Sequence, residues 1–438
     1  MNITTPKTLS GTMELLPKDQ IIFNQLKDTI RESYERFGFL PIDTPVIEDA
    51  KVLLAKAGGE TEKQIYNFTK GDNNICLRFD LTVPLAKYVA KNCNELTFPF
   101  KRYQIGKVYR GERPQKGRFR EFYQCDIDVV GKEELSLEYD AEIPSIIYSI
   151  FNEFNFGPFV ININNRKIIS GLIESLGLTD KQVEIMRLID KFEKIGEENI
   201  RASLKLNYDV SDEKIEELLS FIKITGTNDE IINQLKNVKI NNELFKQGVT
   251  ELEEVVRLIR LNGLEENYFE INLTIVRGLD YYTGTVYETF LSNYRNLGCV
   301  CGGGRYDNLT GYYSKNKFVG VGASIGLTRL FDQIKEMNLL NYKNKSVTKV
   351  LVIPMNNEFK ENAIKIASTL RNEKISTEIN YENTKFKNKL SYADKLNIPY
   401  IIILGETEIA ENKVTLKNMQ TREQFYVTIE EAIKIINS

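Results

Sequence analysis

Between Phe100 and Val130 the chain reads F-K-R-Y-Q-I-G-K-V-Y-R-G-E-R-P-Q-K-G-R-F-R-E-F-Y-Q-C-D-I-D-V-V. In its second half a period of two puts Tyr123, Cys125, Ile127 and Val129 on one face and Arg120, Gln124, Asp126 and Asp128 on the other. The first half, Tyr103 to Arg110, has the aromatic and β-branched content of a partner strand, and Pro114 and Gly117 break the run between the two. The pattern predicts a long antiparallel hairpin with a basic tip from Glu112 to Arg118. It also allows Arg110, Gln124 and Asp128 to share one sheet face, which suits a zwitterionic or phosphorylated small molecule. A sheet with one solvated face explains the same alternation.

The absence of histidine from all 438 residues narrows the chemistry. It excludes Ser-His-Asp and Cys-His nucleophile systems, H-E-x-x-H metal sites and imidazole general bases. What remains is carboxylates, Arg and Lys, backbone dipoles, a metal, or the substrate itself. Cys76, Cys93, Cys125, Cys299 and Cys301 show no C-x-x-C spacing, which argues against a zinc ribbon or a disulfide framework and for reduced thiols. With 58 basic and 61 acidic residues the net charge is -3, so any nucleic acid must be met by local clusters rather than by a global field. No run approaches the roughly 20 apolar residues of a membrane span and the start lacks a signal-peptide core, so a cytoplasmic protein without membrane contact is expected. The length suffices for two or three domains.

From Lys18 to Phe37, apolar residues at Phe23, Leu26, Ile30, Tyr34 and Phe37 recur at helical spacing, with Gly38 as a stop. Asn74 to Asp80 alternates as a strand, and Asp80 at its end reads as a cap or turn residue before a helix from Thr82. A helix is expected from Glu138 to Asn155. From about 166 to 261, Lys, Glu, Ile and Leu at helical periods indicate a helical insertion, with capping-box patterns at Thr179/Gln182, Thr227/Glu230 and Thr250/Glu253. Strand character returns at Ile271 to Val276 and is followed by R-G-L-D-Y-Y and later by G-G-G-R-Y-D. Phe318 to Phe331 runs from a glycine-interrupted strand into a helix. Its glycines do not fit a dinucleotide fingerprint, because the third is misplaced and no acidic strand end follows. Arg329, one turn into that helix, reads as a surface residue unless something points it inward. Residues 339–348 look like a linker, and beyond them alternating strands and helices from 349 to 438 indicate a small α/β domain, a module for some ligand or protein.

The hairpin with R-G-E-R-P-Q-K-G-R-F-R-E-F-Y-Q, the R-G-L-D-Y-Y segment, G-G-G-R-Y-D and the strand ending near Arg329 together resemble the histidyl-tRNA synthetases, a family of class II aminoacyl-tRNA synthetases. The resemblance runs from Gly11 almost to the C-terminus. Pro45 matches the proline of class II motif 1, Arg110 and Glu112 the R-x-E of motif 2, and Arg329 the arginine of motif 3. The resemblance implies an α+β fold, an antiparallel sheet flanked by helices. The catalytic domain would occupy 1–338, with the insertion at about 166–261, the linker at 339–348 and an anticodon-binding α/β domain at 349–438. It also implies a homodimer and two reactions: histidine and ATP give histidyl-adenylate, and the acyl group passes to the terminal ribose of tRNA(His).

Carried over by position, the resemblance assigns Asp80, Thr82 and Gln124 to the α-amino group of L-histidine, and Asp128, Tyr281 and Tyr282 to the rest of the histidine pocket. Asp128 and Tyr282 would read the imidazole. Arg110, Glu112, Arg277 and Arg329 would bind ATP with Mg²⁺, the three arginines being catalytic. Arg113, Gln115 and Arg118 at the hairpin tip would meet tRNA, and no metal ligands are assigned. Asp80 and Asp128 stand where many members carry Glu, Gly111 and Tyr123 where His is common, and Thr328 where an acidic residue usually precedes the motif 3 arginine. The alternative is the histidine-sensing regulatory paralogue of histidine biosynthesis, which is expected to lack the catalytic arginines and the C-terminal domain.

Overall fold

The computed structural model describes residues 3–54, 60–115, 117–276, 282–308, 310–340, 342 and 345–437. The chain forms two compact units, Met1–Met13 with Leu26–Leu339 and Glu14–Gln25 with Leu340–Ser438. The helix Pro17–Arg36 therefore gives its beginning to the second unit and its end to the first. In the second unit Tyr342 donates a hydrogen bond of 2.8 Å to the buried Asp19.

The first unit contains β1 (Leu40–Pro41), β2 (Ile47–Asp49), β3 (Asn67–Lys70), β4 (Asn73–Leu77), β5 (Phe100–Tyr109), β6 (Glu121–Lys132), β7 (Phe159–Asn165), β8 (Phe269–Ile271), β9 (Thr285–Leu291), β10 (Cys301–Tyr306) and β11 (Phe318–Gly326). Its main sheet has the order β1-β5-β6-β11-β10-β9-β7-β8, antiparallel except where short β1 and β8 lie parallel at the two edges. The smaller sheet is β2-β4-β3. β5 and β6 form the expected hairpin, with Phe100 opposite Val130 and Tyr109 opposite Glu121. A solvated front face is ruled out: on β6 both Asp126 and Asp128 are buried as deeply as Cys125 and Ile127 behind them.

The back of the sheet is closed by helices. Tyr34 donates to the Cys125 carbonyl at 2.9 Å, and the helix Glu138–Phe154 sets Asp140 against Arg305 of β10. Arg305 binds both Asp140 oxygens, at 2.5 to 3.0 Å, and the carbonyls of Leu135 and Ser136, while Tyr287 donates to the Asp140 carbonyl. Arg305 of the G-G-G-R-Y-D segment thus faces away from the front of the sheet and joins strand to helix.

Helices occupy much of 166–261, from Arg166–Ser175 to Glu243–Leu261. Of the expected capping boxes only Thr227/Glu230 forms. Thr179 opens a 3-10 turn, and Thr250 sits inside the helix Glu243–Leu261, where its hydroxyl donates to the Lys246 carbonyl at 3.0 Å. For Thr250 the cause is that a Thr and an acid three residues apart also occur on one face of a continuous helix. The strand expected through Val276 stops at Ile271, because the Asn272 side chain accepts from the N–H and hydroxyl of Thr274 and turns the backbone.

In the second unit β12 (Val350–Pro354), β13 (Thr377–Ile379), β14 (Tyr400–Leu404), β15 (Val414–Asn418) and β16 (Gln424–Val427) form a sheet of order β13-β12-β14-β15-β16. β12 is parallel to both neighbours, as βαβ connections require. Of the lysines on the helix Phe386–Lys395, Lys389 does not offer a surface charge. It is 6% exposed and donates to the Pro354 carbonyl at 3.0 Å, and burial lowers its pKa.

The Asp140 and Arg305 pair is deeply buried, so removing one partner strands a desolvated charge. Asp140→Ala is expected to destabilise the first unit by about 3–5 kcal/mol. Urea denaturation monitored by tyrosine fluorescence measures this, and a loss under about 1 kcal/mol would show that the pair contributes only packing.

Candidate functional site

A cavity of about 510 Å³ opens on the front of the main sheet. Asp80, Thr82, Arg110, Glu112, Arg118, Gln124, Tyr282 and Arg329, drawn from segments far apart in sequence, all line it. Asp128 lies in a recess of about 20 Å³ that shares Thr82, Tyr282 and Ser324 with the main cavity and adds Asp126 and Tyr306. Arg113 and Gln115 do not line the cavity. They are exposed on the hairpin tip, where Gln115 pairs with Arg118 through the backbone. Arg277 and Tyr281 lie outside the described residues.

Local structure explains how each side chain is aimed. Asp80 follows β4 by three residues and its carboxylate accepts the N–H of Val83 at 2.9 Å, capping the helix Thr82–Asn92. Arg110 stands just past the end of β5, held by a backbone bond to Arg120, with its guanidinium 4.4 Å from the centre of the Phe79 ring and 5.1 Å from that of Phe122. Contact with two rings, with Nε donating to the Phe79 carbonyl at 3.3 Å, fixes the cation at the cavity. Arg329 is half-buried, one turn into the helix Leu327–Glu336, and donates to the Leu297 carbonyl at 2.6 Å. Thr328, in the place of an acid, is buried and its hydroxyl accepts the Tyr123 N–H at 2.8 Å. The motif 3 helix is thereby tied to β6 by a hydrogen bond that needs no charge.

The floor of the recess is set by strand register. Arg102 lies opposite Asp128 across β5 and β6, so the two side chains emerge on the same face. Arg102 has no solvent exposure, and its Nη2 is 2.5 Å from Asp128 Oδ2. Tyr306 donates to the other Asp128 oxygen at 2.9 Å. On the third strand Gly322 faces Asp128, where a Cβ would come within 2.3 Å of Oδ1. At Gly320 a Cβ would meet the Tyr306 ring at 2.4 Å. The glycines of the F-V-G-V-G segment therefore make room for a carboxylate and a phenol.

Burial dominates the electrostatics here. It raises Asp128 to about 6 against the opposing pull of Arg102 and Tyr306, and raises Asp126 to about 7, with Asp128 adding to the effect. Gln124 donates from Nε2 to Ser324 at 2.8 Å, leaving its buried Oε1 without a donor among the described residues. Sequence reasoning missed Arg102, Tyr306 and Ser324. The signal for Arg102 was available, since pairing the hairpin about its tip sets residue 102 against residue 128.

Comparison with known proteins gives a consistent answer. Residues 11–330 match the family model for histidyl-tRNA synthetase, and residues 349–438 match that for an anticodon binding domain. The chain is 53% identical to histidine–tRNA ligase of Clostridium tetani, covering all of this chain and 99% of that protein. It is 48% identical to the enzyme of that name from Finegoldia magna, over 98% and 99%. The crystal structure of histidyl-tRNA synthetase from Nostoc sp. PCC 7120 superposes with a TM-score of 0.90 at 40% identity, covering 100% of this chain and 99% of the other. A Bacillus halodurans structure titled as an ATP phosphoribosyltransferase regulatory subunit/histidyl-tRNA synthetase shares the fold, with a TM-score of 0.75 at 20% identity over 89% and 97%. By these matches over its full length, the chain belongs to the histidyl-tRNA synthetase family.

Proposed function

We infer that this chain is a histidine–tRNA ligase, which activates L-histidine with ATP and transfers the histidyl group to the 3'-terminal ribose of tRNA(His). The single observation that carries the assignment to this site is the meeting, in one cavity, of the arginines Arg110 and Arg329 with the polar set Asp80, Thr82, Gln124 and Tyr282. In the first step the histidine carboxylate attacks the α-phosphorus. An acyl–phosphate bond forms, the α–β phosphoanhydride breaks and pyrophosphate leaves. In the second a ribose hydroxyl attacks the acyl carbon and AMP departs.

Asp80 and the donor-free Oε1 of Gln124 suit the α-ammonium group, with Thr82 beside them. Asp128 and Tyr282 lie at the recess end, where the imidazole edge would be read; Tyr281 completes the pocket. Arg110, sandwiched by two rings, and Arg277 meet the α-phosphate, and Arg329 lies toward the other end of ATP. Nucleotidyl transfer is mostly positioning and charge stabilisation, which fixed guanidinium groups supply without a histidine base. Among the described residues no cluster of three or more acidic or thiol ligands forms a protein metal site. The cavity carboxylates Glu112 and Glu288 fit the sparse protein contribution to Mg²⁺ that arrives with ATP and is held chiefly by phosphate oxygens.

Arg113, Gln115 and Arg118 at the exposed hairpin tip meet the acceptor end of tRNA, and residues 349–438, beyond a linker at 339–348, meet its anticodon region. The exposed Leu40, Val46 and Ile47 around motif 1 support a homodimer, in keeping with a cytoplasmic enzyme. The regulatory paralogue is disfavoured by the retained arginines and the match at 349–438. Histidine-dependent ATP–pyrophosphate exchange, followed by histidine charging of tRNA, tests the assignment. Histidine binding with no exchange would favour the paralogue.

Two variants probe the roles. Asp128→Ala is expected to raise the histidine KM by at least about tenfold while the ATP KM stays within about twofold, because the ring nitrogens lose a buried partner worth roughly 1.5–3 kcal/mol. An unchanged histidine KM and kcat in that variant would remove Asp128 from the pocket. Arg277→Ala is expected to slow adenylate formation by roughly 10²–10³, the effect of losing one preorganised donor, with both KM values nearly unchanged. Lysine should restore only part, since it offers no bidentate fork. Pre-steady-state adenylate formation within threefold of wild type would make Arg277 a structural residue.

A further inference from the structure

The recess holds two carboxylates for one cation. Asp126 and Asp128 both line it, two residues apart on one face of β6 and 2% and 4% exposed. Arg102 is committed to Asp128 by the 2.5 Å ion pair. Its Nε, Nη1 and Nη2 make no aligned hydrogen bond to any acceptor among the described residues, and the buried Oδ1 of Asp126 likewise has no donor. Burial beside a second carboxylate therefore favours the protonated form of Asp126, and Arg102 and the Ser324 hydroxyl offset this only in part.

We propose that Asp126 is a proton-holding residue of the histidine pocket, and that the complex with L-histidine keeps one proton shared between the Asp126 carboxyl and the imidazole ring. The proposal rests on the reading that the ring lies against Asp128. Asp126 then acts with the ring as an acid–base pair. With the proton on Asp126 its hydroxyl donates to a ring nitrogen; with the proton on the ring, both ring nitrogens donate to carboxylates. Between the two states the Asp126 O–H bond breaks as the ring N–H bond forms, and no other covalent bond changes.

Among the described residues no other group around Asp126 supplies the proton. From β5 it faces Arg102. From β6 it faces Asp128, from β11 the Ser324 hydroxyl, and from the start of the helix Thr82–Asn92 the Asp80 carboxylate, which adds repulsion. Tyr306 of β10 and Tyr282 share the recess, and burial pushes the Tyr306 phenol well up. Behind the sheet Tyr34, Cys125 and Cys301 feel Asp126 electrostatically, but burial pushes each of them up, so they remain neutral. The α-ammonium of histidine is matched by Asp80, so Asp126 is left to share the one Arg102 charge that Asp128 already pairs with.

Burial, opposed by Arg102 and the Ser324 hydroxyl and reinforced by Asp128 and Asp80, holds Asp126 at about 7, so near pH 7.5 most free molecules have released this proton, as has most free imidazole. Closing the pocket with a ligand therefore takes a proton up. The sign follows: because the complex binds more protons than its parts, affinity for histidine falls as pH rises from about 7 to 8.5, by up to tenfold per pH unit.

Calorimetry of L-histidine binding to the full-length protein at pH 7.5, in buffers of different ionisation enthalpy, counts the protons. The expected result is an uptake of about half a proton or more per site, dropping below that value in Asp126→Asn, an isosteric change that keeps the recess filled. A smaller uptake by the wild-type protein overturns the proposal, as does full uptake in Asp126→Asn. If the asparagine variant does not fold, the wild-type count and its pH dependence decide alone. Failure of the underlying site reading looks different: Asp128→Ala would then bind histidine as tightly as wild type, whatever the proton count.

Discussion

The ion pair of Arg102 with Asp128, across β5 and β6 and out of reach of solvent, is the interaction on which the site depends. Burying one charge costs several kcal/mol, and a buried pair is tolerated only where geometry is over-determined. Four strands supply that geometry here. β5 and β6 set the pair in register, and the glycines of β11 leave room for Asp128 and for Tyr306 beside it. Tyr306 donates to Asp128 from β10, so four adjacent strands converge on one carboxylate. Slipping any of them by one residue would turn the recess inside out.

The remaining charged groups fall into two sets separated by the sheet. On the back, Asp140 and Arg305 hold helix to strand with all geometry satisfied inside the protein. On the front, Arg110 and Arg329 line an open cavity, Arg110 beside the rings of Phe79 and Phe122 and Arg329 donating to the Leu297 carbonyl. A cation that borders an open cavity can answer to phosphate, which one buried against a helix cannot. On the proposed reading, a chain without histidine handles acyl activation by fixed positive charge, and the mobile proton in the pocket is left to a carboxyl and to the ligand's own imidazole.

Much of this was legible in the sequence because period-two alternation and charged tips are local signals. The hairpin, the helix Glu138–Phe154, the helix-rich stretch after 166 and the α/β pattern of the C-terminal region follow from such signals. What was not legible depended on residues far away in sequence. Whether the front of β6 faces water or protein depends on the residues that enclose the recess with Asp126 and Asp128, among them Thr82, Tyr282 and Tyr306, and so the alternation alone left a solvated face open. Arg102 looked like one more basic residue in F-K-R-Y because its partner is set by register rather than by neighbours. The capping-box pattern at Thr250 failed because the same spacing serves a helix interior. Asp80 gave a cap signal, and it is a cap that also borders the cavity.

The central claim is that a charge-compensated floor, built by strand register, reads the side chain of the amino acid. A crystal structure of the full-length protein with L-histidine tests it most directly. The expected complex has an imidazole nitrogen about 2.7–3.2 Å from an Asp128 oxygen, with Arg102 still paired behind it and the α-ammonium toward Asp80 and Gln124. A ring seated instead near Arg329, or an Asp128 that leaves Arg102 to reach the ligand, would contradict it.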